Sequence, residues 1–305
     1  MKTSPNACKT NTNASHRLFN IDSVKMLIEK GTNLHPFIDI TLTWYASFGN
    51  LEIIKYLVEL GANIHENNDK ALTISAEKGY FEIVKYLISK GADIHADNDL
   101  ALRISAENNH FEIVKYLIES GAQIHAFNDN ALRASAYNNH LETVKYLISK
   151  GADVHAYEED ALRVCAEDGY LEVVKCLVEA GADIHVKNNW AVVLSAATGK
   201  LDVVKYLISK GADIHVIDEY ALRESAKQGH LAVVKCLVEA GAYIHAKNDD
   251  ALRFSAMNGH TDIVEYLIEM GANTDILKDL QNLESDDESE SASENEPNKI
   301  DKLNE

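Results

Sequence analysis

The chain has little of what several classes of protein require. Of its 305 residues only four are cysteine and three are proline, and 29 basic residues face 48 acidic ones. No apolar run approaches the roughly 18 residues of a membrane span, and residues 1 to 20 lack the hydrophobic core of a signal peptide. A formal charge of −19 argues against nucleic-acid binding, which needs a basic face. These absences predict a soluble, intracellular protein that binds neither membranes nor nucleic acid and keeps its thiols reduced.

What the chain does contain is a repeat of thirty residues. Residues 91 to 120 read GADIHADNDLALRISAENNHFEIVKYLIES, and nearly the same letters return from Gly31 to Gly271. A fixed period of this size is typical of a solenoid. Leu102 and Ala106 fall on one face of a short helix, and the apolar residues of 113 to 118 form a stripe on a second helix. Each repeat is therefore predicted to be a helical hairpin.

The segment that precedes each hairpin, called the finger below and represented by residues 96 to 100, has a distinctive composition. In the seven regular repeats it contains neither glycine nor proline, so an ordinary β-hairpin turn has no residue to form it. Short loops are predicted there rather than strands. Near the end of the finger stands a column of carboxylate and amide residues, which we interpret as N-caps of the first helix. The column consists of Asp39, Asp69, Asp99, Asp129, Glu159, Asn189, Glu219 and Asp249.

The repeat resembles the ankyrin repeat. The resemblance lies in the sequence GAD at 91 to 93, in LRISA at 102 to 106 where that family usually has PLHLA, and in FEIVKYLI at 111 to 118. It implies an all-α, ankyrin-type solenoid of stacked helix-turn-helix repeats with shortened, strand-poor fingers, because the period is 30 and not about 33. Proline-poor arrays of this period are similar to the ankyrin proteins of amoeba-infecting giant viruses. That likeness implies a viral source and the cytoplasm of the host cell.

The composition along the chain divides it into four parts. Residues 1–17 are polar and are predicted to be disordered. Residues 18–273 form the repeat array, about nine repeats of which the first is incomplete. Residues 274–283 keep helical spacing and are predicted to be a C-terminal capping helix, and residues 284–305 form an acidic tail that is predicted to be disordered.

Two polar columns are candidate sites for metal or phosphate binding. The first is a histidine in each repeat, and the second is an arginine in most of them. Successive repeats stand roughly 8 to 10 Å apart, too far for zinc, which needs imidazole nitrogens about 2.0 to 2.1 Å away; we interpret the histidines as scaffold. The arginines fit ion pairs with Glu107 and Glu167 at i, i+4 spacing better than phosphate binding. The columns are His35, His65, His95, His125, His155, His185, His215 and His245, and Arg103, Arg133, Arg163, Arg223 and Arg253.

No catalytic constellation emerges from the sequence. There is no phosphate-cradling glycine loop, no HExxH and no CxxC. We therefore predict that the chain is not an enzyme. We predict no catalytic, cofactor-binding or metal-binding residues, and no cofactor.

Function is then sought where the repeats differ from one another. The finger positions and the two positions that close the first helix vary freely, and the resemblance implies that they face the groove that binds partners. The aromatic side chains at these positions, with acidic residues between them, predict a site in the middle of the array. It comprises Phe127, Tyr137, Tyr157, Glu158, Glu159, Asp160, Glu167, Asp168, Trp190 and Tyr220.

Two functions remain open. One is a non-enzymatic protein-protein interaction scaffold or adaptor, a monomer that binds a basic protein partner through the groove. The alternative is a structural or spacer repeat protein with no specific partner. The aromatic residues could also pack against neighbouring fingers and belong to the scaffold.

Overall fold

The computed structural model describes residues 38–278. Over this range the chain forms sixteen complete α-helices and contains no strand, so the predicted all-α fold with strand-free fingers is confirmed. The chain divides into two compact units, residues 1–156 (unit 1) and residues 157–305 (unit 2). The predicted disordered ends and the incomplete first repeat lie outside the described residues. Of the predicted capping helix, residues 275 to 278 are helical and the rest lies outside the described range.

Unit 1 contains four described helical hairpins, each made of a first and a second helix. The first helices are α1 (Ile38–Phe48), α3 (Glu66–Glu77), α5 (Ala96–Glu107) and α7 (Ala126–Tyr137). The second helices are α2 (Leu51–Glu59), α4 (Phe81–Ser89), α6 (Phe111–Glu119) and α8 (Leu141–Ser149). Each first helix contacts the next first helix, each second helix contacts the next second helix, and the two helices of a hairpin contact each other. The described part of unit 1 is therefore two stacked layers of helices.

Unit 2 repeats this arrangement. Its first helices are α9 (Ala156–Asp168), α11 (Val186–Ala197), α13 (Val216–Lys227) and α15 (Ala246–Met257). Its second helices are α10 (Leu171–Glu179), α12 (Leu201–Ser209), α14 (Leu231–Glu239) and α16 (Thr261–Glu269). The contacts α11 to α13 to α15 and α10 to α12 to α14 to α16 build the two layers.

The core lies between the layers and follows the predicted apolar positions. In α6, Ile113, Val114 and Leu117 are at most 2% exposed. In α5, Leu102 is fully buried, and so is Ser105, whose hydroxyl donates a hydrogen bond to the Leu102 carbonyl at 2.9 Å. A buried leucine contributes about 1.5 to 3 kcal/mol of hydrophobic free energy, so a few such residues in each repeat hold the stack together. The serine column keeps the first helices close because its side chain is small and its hydroxyl is satisfied within the helix.

The fingers are turns of left-handed backbone, a form that the sequence analysis did not predict. In the regular repeats three consecutive residues have positive φ; Asp97, Asn98 and Asp99 have φ of 52°, 56° and 54°. A left-handed conformation costs roughly 1 to 2 kcal/mol for most residues, and asparagine and aspartate tolerate it best. The asparagine-rich and aspartate-rich composition of the fingers is explained by this backbone.

The residue that ends the left-handed turn, represented by Asp99, joins its repeat to the next loop in most repeats. The Asp99 carboxylate is 2% exposed, accepts the backbone N–H of Gln123 at 2.8 Å and lies 3.1 Å from Nδ1 of His95. The interpretation of this column as N-caps is wrong for Asp99, because its side chain bonds the next loop and not its own helix. The N–H 24 residues further on is bound in the same way by Asp39, Asp69 and Asp129 in unit 1, and by Glu159, Asn189 and Asp249 in unit 2.

Removal of one such acceptor should destabilise the stack. Asp99→Ala leaves the Gln123 N–H without its partner, and we expect the free energy of unfolding to fall by about 2 kcal/mol, the range of a lost hydrogen bond to a charged group. Urea denaturation followed by circular dichroism measures the loss. The control is Asp99→Asn, which keeps an acceptor of the kind that Asn189 provides at its own repeat, and should cost clearly less. Equal losses for the two variants would show that the hydrogen bond does not matter.

Candidate functional site

The exposed side chains of the fingers and first helices form one face of each unit. In unit 2 this face centres on α11, where Trp190 is 37% exposed and Leu194 and Ala197 are half-buried. Val193 occupies the position that holds arginine in most repeats, and it is 1% exposed. The middle of the face is therefore apolar. The name unit 2 surface is used below for Trp190, Leu194 and Ala197 of α11 together with the neighbouring Tyr157, Ile217 and Tyr220.

Two residues of the unit 2 surface are held in an unfavourable backbone conformation. Tyr157 has φ of 58° and is 65% exposed, and Ile217 has φ of 52° and is 47% exposed. Positive φ is a genuine outlier for a bulky or β-branched residue. Asn67 and Asp97 stand at the same finger position in other repeats, so the scaffold does not require a large apolar side chain there.

The cavity on the face of unit 2 is small. A cavity beside Trp190, between α9 and α11, has a volume of about 10 Å³ and is lined by Glu158, Leu162, Arg163 and Ile184 among others. A cavity of this size holds at most one water molecule. Binding at this face must therefore involve the exposed side chains themselves.

The predicted acidic residues around Trp190 are engaged with basic ones. Glu158 accepts a hydrogen bond from Lys187 at 2.6 Å, which lowers the pKa of the Glu158 carboxyl below its ordinary value. Asp160 lies 2.6 Å and Glu167 lies 3.8 Å from Arg163. The predicted pairing of Arg163 with Glu167 is therefore observed, and Asp160 shares the same guanidinium.

The predicted acids of α9 differ in their exposure. Glu158 and Asp168 are exposed, whereas Asp160 and Glu167 are half-buried. Glu159 does not line the surface, because it is 6% exposed and accepts the Asp183 N–H at 3.3 Å. Glu158 and Asp168 are therefore the predicted acids that are most accessible to a partner.

The remaining predicted residues lie in unit 1. Phe127 is 62% exposed, with the guanidinium of Arg103 at 4.8 Å from its ring centroid. Tyr137 is half-buried, with the Arg133 guanidinium at 5.9 Å from its ring. Eight of the ten predicted residues thus lie in unit 2 and two lie in unit 1.

Arg103 shows what the arginine column does in unit 1. Its guanidinium donates hydrogen bonds to the carbonyls of Asp97 and Asn98 at 2.8 and 3.0 Å. These carbonyls belong to the left-handed finger. The predicted ion pair between Arg103 and Glu107 is wrong, because Arg103 turns back to the finger instead. In unit 2, Arg223 approaches the carbonyls of its own finger in the same way.

An exposed apolar ridge in unit 1 was missed by the sequence analysis. Ile40, Trp44 and Phe48 of α1 are 60%, 37% and 59% exposed. They follow one another at i, i+4 spacing along a single helix face. The signal was present in the sequence, since α3 has Lys70 and Lys78 at the positions of Ile40 and Phe48.

The second helices present a face whose side chains serve one another. Lys55 and Lys90 lie 5.8 and 5.6 Å from the ring centroid of Tyr86, and burial raises the pKa of the Tyr86 hydroxyl. Phe81 packs edge-on against Tyr116 at 5.7 Å. Lysine recurs at the position of Lys55 and tyrosine at the position of Tyr86 in most repeats. These contacts explain both columns as part of the scaffold.

The histidine column is also part of the scaffold. His95 bonds Asp99 of its own repeat, and it is Asp99 that bonds the neighbouring loop. A different histidine column contacts the adjacent repeat directly: Nε2 of His110 donates to the Glu77 carbonyl at 2.9 Å, and its ring covers Gly79. Within residues 38–278 no three His, Cys, Asp or Glu side chains are grouped so that they could hold a metal ion.

The histidine pairs predict a local dependence of stability on pH. Nδ1 of His215 lies 2.6 Å from Glu219, and this hydrogen bond raises the pKa of His215 above 6.5. A raised pKa in the folded state means that the stabilisation is present below the ordinary pKa and is lost as the pH rises through the raised value. His215→Gln should therefore destabilise the protein more at pH 5.5 than at pH 8, measured by thermal melting beside the wild type at each pH.

The control for this prediction is His185→Gln. The partner of His185 is Asn189, at 3.0 Å, which carries no charge. The difference in melting temperature between this variant and the wild type should change little with pH. If both variants showed the same pH dependence, the ion pair of His215 would not be its origin.

A family model described as ankyrin repeats in three copies matches residues 12–98, 42–128, 102–188 and 189–278. Among curated proteins none matches the chain. Every helix of the described range is too short, or too polar, to cross a lipid bilayer.

Proposed function

Because the chain belongs to the ankyrin-repeat family, we propose that it is a non-enzymatic scaffold or adaptor that binds a protein partner through the unit 2 surface. Proteins of this family are in general protein-binding modules. The observation that carries the proposal is the pair of large apolar side chains, Tyr157 and Ile217, exposed at finger positions with positive φ. Strained conformations cluster at functional sites because the cost is tolerated there for the sake of binding.

The composition of the surface supports this reading. Tyrosine and tryptophan are common anchors at interfaces, since they bury a large area and lose few rotamers on binding. Tyr157 and Trp190 stand on fingers of adjacent repeats, and the apolar face of α11 continues from Trp190 through Leu194. A partner that buries these rings gains hydrophobic free energy of about 25 cal/mol per Å².

The charges around Trp190 favour a basic partner. Glu158 is paired with Lys187 and Asp160 with Arg163, and the Asp168 carboxylate is exposed. We propose a partner segment that presents an apolar side chain beside lysine or arginine. Its affinity should fall as the salt concentration rises, because exposed charges are screened over about 8 Å at physiological ionic strength.

The test is an affinity purification with tagged full-length chain, followed by identification of bound proteins. Wild type and a Tyr157→Ala, Trp190→Ala double variant are compared. We expect a specific partner to be lost with the double variant by about tenfold or more, as for truncation of hot-spot aromatics, while the melting temperature stays close to that of the wild type.

Tyr243→Ala is the matched control, since Tyr243 is 59% exposed, packs on His245 and is not one of the residues of the unit 2 surface. It should leave the partner bound. Retained binding by the double variant together with a lowered melting temperature would mean that the rings belong to the scaffold, and the absence of any partner of the wild type would favour the spacer alternative.

The cellular setting is part of the same proposal. Within residues 38–278 no disulfide joins Cys165, Cys176 or Cys236, and burial together with nearby acids raises the pKa of the Cys165 thiol to about 12. Unreacted cysteines support an intracellular location. If the source is viral, as the thirty-residue period suggests, the protein acts as a monomer in the cytoplasm of the host cell; microscopy of tagged protein in infected cells tests this.

A further inference from the structure

Three tyrosine hydroxyls of the second-helix layer are buried and find no hydrogen-bond partner among residues 38–278. They belong to Tyr86, Tyr146 and Tyr206, and they are called the enclosed hydroxyls below. A buried hydroxyl without a hydrogen bond destabilises the state in which it is buried, because the same group would be hydrogen-bonded in water. Such groups are few in folded proteins. One that recurs at the same position of several repeats needs an explanation.

The enclosed hydroxyls stand sixty residues apart, at every second repeat. Each of the three tyrosines begins the sequence YLISK, at 86–90, 146–150 and 206–210. In the repeats between them the same five positions read YLIES at 116–120 and CLVEA at 176–180. Over this part of the chain, a lysine four residues after the aromatic position therefore occurs only in the repeats with an enclosed hydroxyl.

These lysines lie over the tyrosine rings. Nζ of Lys90, Lys150 and Lys210 is 5.6, 5.4 and 5.4 Å from the ring centroid of the tyrosine one turn earlier. Tyr116 has Ser120 at the lysine position, and its hydroxyl is not one of the enclosed ones. A lysine stem covers apolar surface while its ammonium stays in water. We therefore attribute the enclosure of the hydroxyl to the lysine.

Each enclosed hydroxyl lies at the step between its own second helix and the preceding one. Phe111 of α6 packs edge-on against Tyr146 of α8, with ring centroids 5.6 Å apart. Burial and the nearby carboxylate of Glu119 raise the pKa of the Tyr146 hydroxyl, yet no hydrogen bond joins the two groups. A glutamate of the preceding repeat has the same effect on Tyr86 and on Tyr206. When two such helices separate, the hydroxyl reaches water and regains its hydrogen bonds.

We propose that the enclosed hydroxyls make three steps of the second-helix layer open more readily than the others. These are the steps from α2 to α4 and from α6 to α8 in unit 1, and from α10 to α12 in unit 2. Opening relieves the cost of the unsatisfied hydroxyl, which raises the population of the open state relative to a step such as α4 to α6. The alternating lysine thus sets where each unit opens. This device does not depend on the function proposed for the unit 2 surface.

Hydrogen exchange of the full chain, followed by mass spectrometry, tests the step from α6 to α8. Tyr146→Phe removes the enclosed hydroxyl and keeps the ring that packs against Phe111. We expect the amides of α8 to exchange about tenfold more slowly than in the wild type, within the range for relief of one buried hydroxyl without a partner. The melting temperature should rise. Tyr116→Phe is the matched control, and the amides of α6 should exchange at the wild-type rate or faster.

The lysine supplies a second test. Lys150→Ala uncovers Tyr146, so that water reaches the hydroxyl in the closed state. In this background Tyr146→Phe should no longer slow the exchange of α8, and slowing equal to that in the presence of Lys150 would refute the role of the lysine.

Two further results would overturn the proposal. Faster exchange or a lower melting temperature for Tyr146→Phe would show that the hydroxyl is hydrogen-bonded in the closed state. Equal slowing by Tyr116→Phe in α6 would show that loss of any tyrosine hydroxyl has this effect, whether or not the hydroxyl is enclosed.

Discussion

The fingers depend on one hydrogen-bonded group, a buried carboxylate or amide that ends each left-handed turn. Asp99 is representative: it accepts the N–H of Gln123 in the following loop and the imidazole of His95 in its own. A buried N–H without an acceptor costs about 1 to 3 kcal/mol, so this bond fixes where each loop lies against the previous finger. The left-handed backbone is the geometry that brings the carboxylate into reach, and the Arg103 guanidinium covers carbonyls that the turn leaves open.

This constraint divides the finger into a fixed and a free part. The residue at the position of Asp99 is an acceptor in every regular repeat, as aspartate, asparagine or glutamate. The residue two places earlier makes no such bond and is exposed, so Asn67 in one repeat is replaced by Tyr157 in another without loss of the inter-repeat bond. Variation is concentrated where the scaffold does not need a particular side chain. For that reason the exposed apolar residues of the fingers are better explained by binding than by folding.

Much of the fold could be predicted from the sequence, because period and apolar spacing report directly on helices that bury one face. The burial of Leu102 and Leu117 follows from that spacing. The left-handed finger could not, since the rules for turns treat this conformation as one of single residues. The His95 and Asp99 spacing of four residues was a usable signal for their contact. The sequence analysis placed its site in the middle of the array and therefore missed Ile40, Trp44 and Phe48, although the lysines at the equivalent positions of α3 indicate that these positions are exposed.

The overall charge of the chain is a poor guide to what each surface binds. A formal charge of −19 bears on nucleic acid, which requires a broad basic face, but fields between exposed groups decay over about 8 Å at physiological salt. Within that distance a partner meets only one or two repeats. Around α3 it meets the exposed Lys70 and Lys78, and around α9 it meets the exposed carboxylates of Glu158 and Asp168. Because each repeat can change its exposed residues without disturbing the shared bonds, one acidic array can carry surfaces of different local charge.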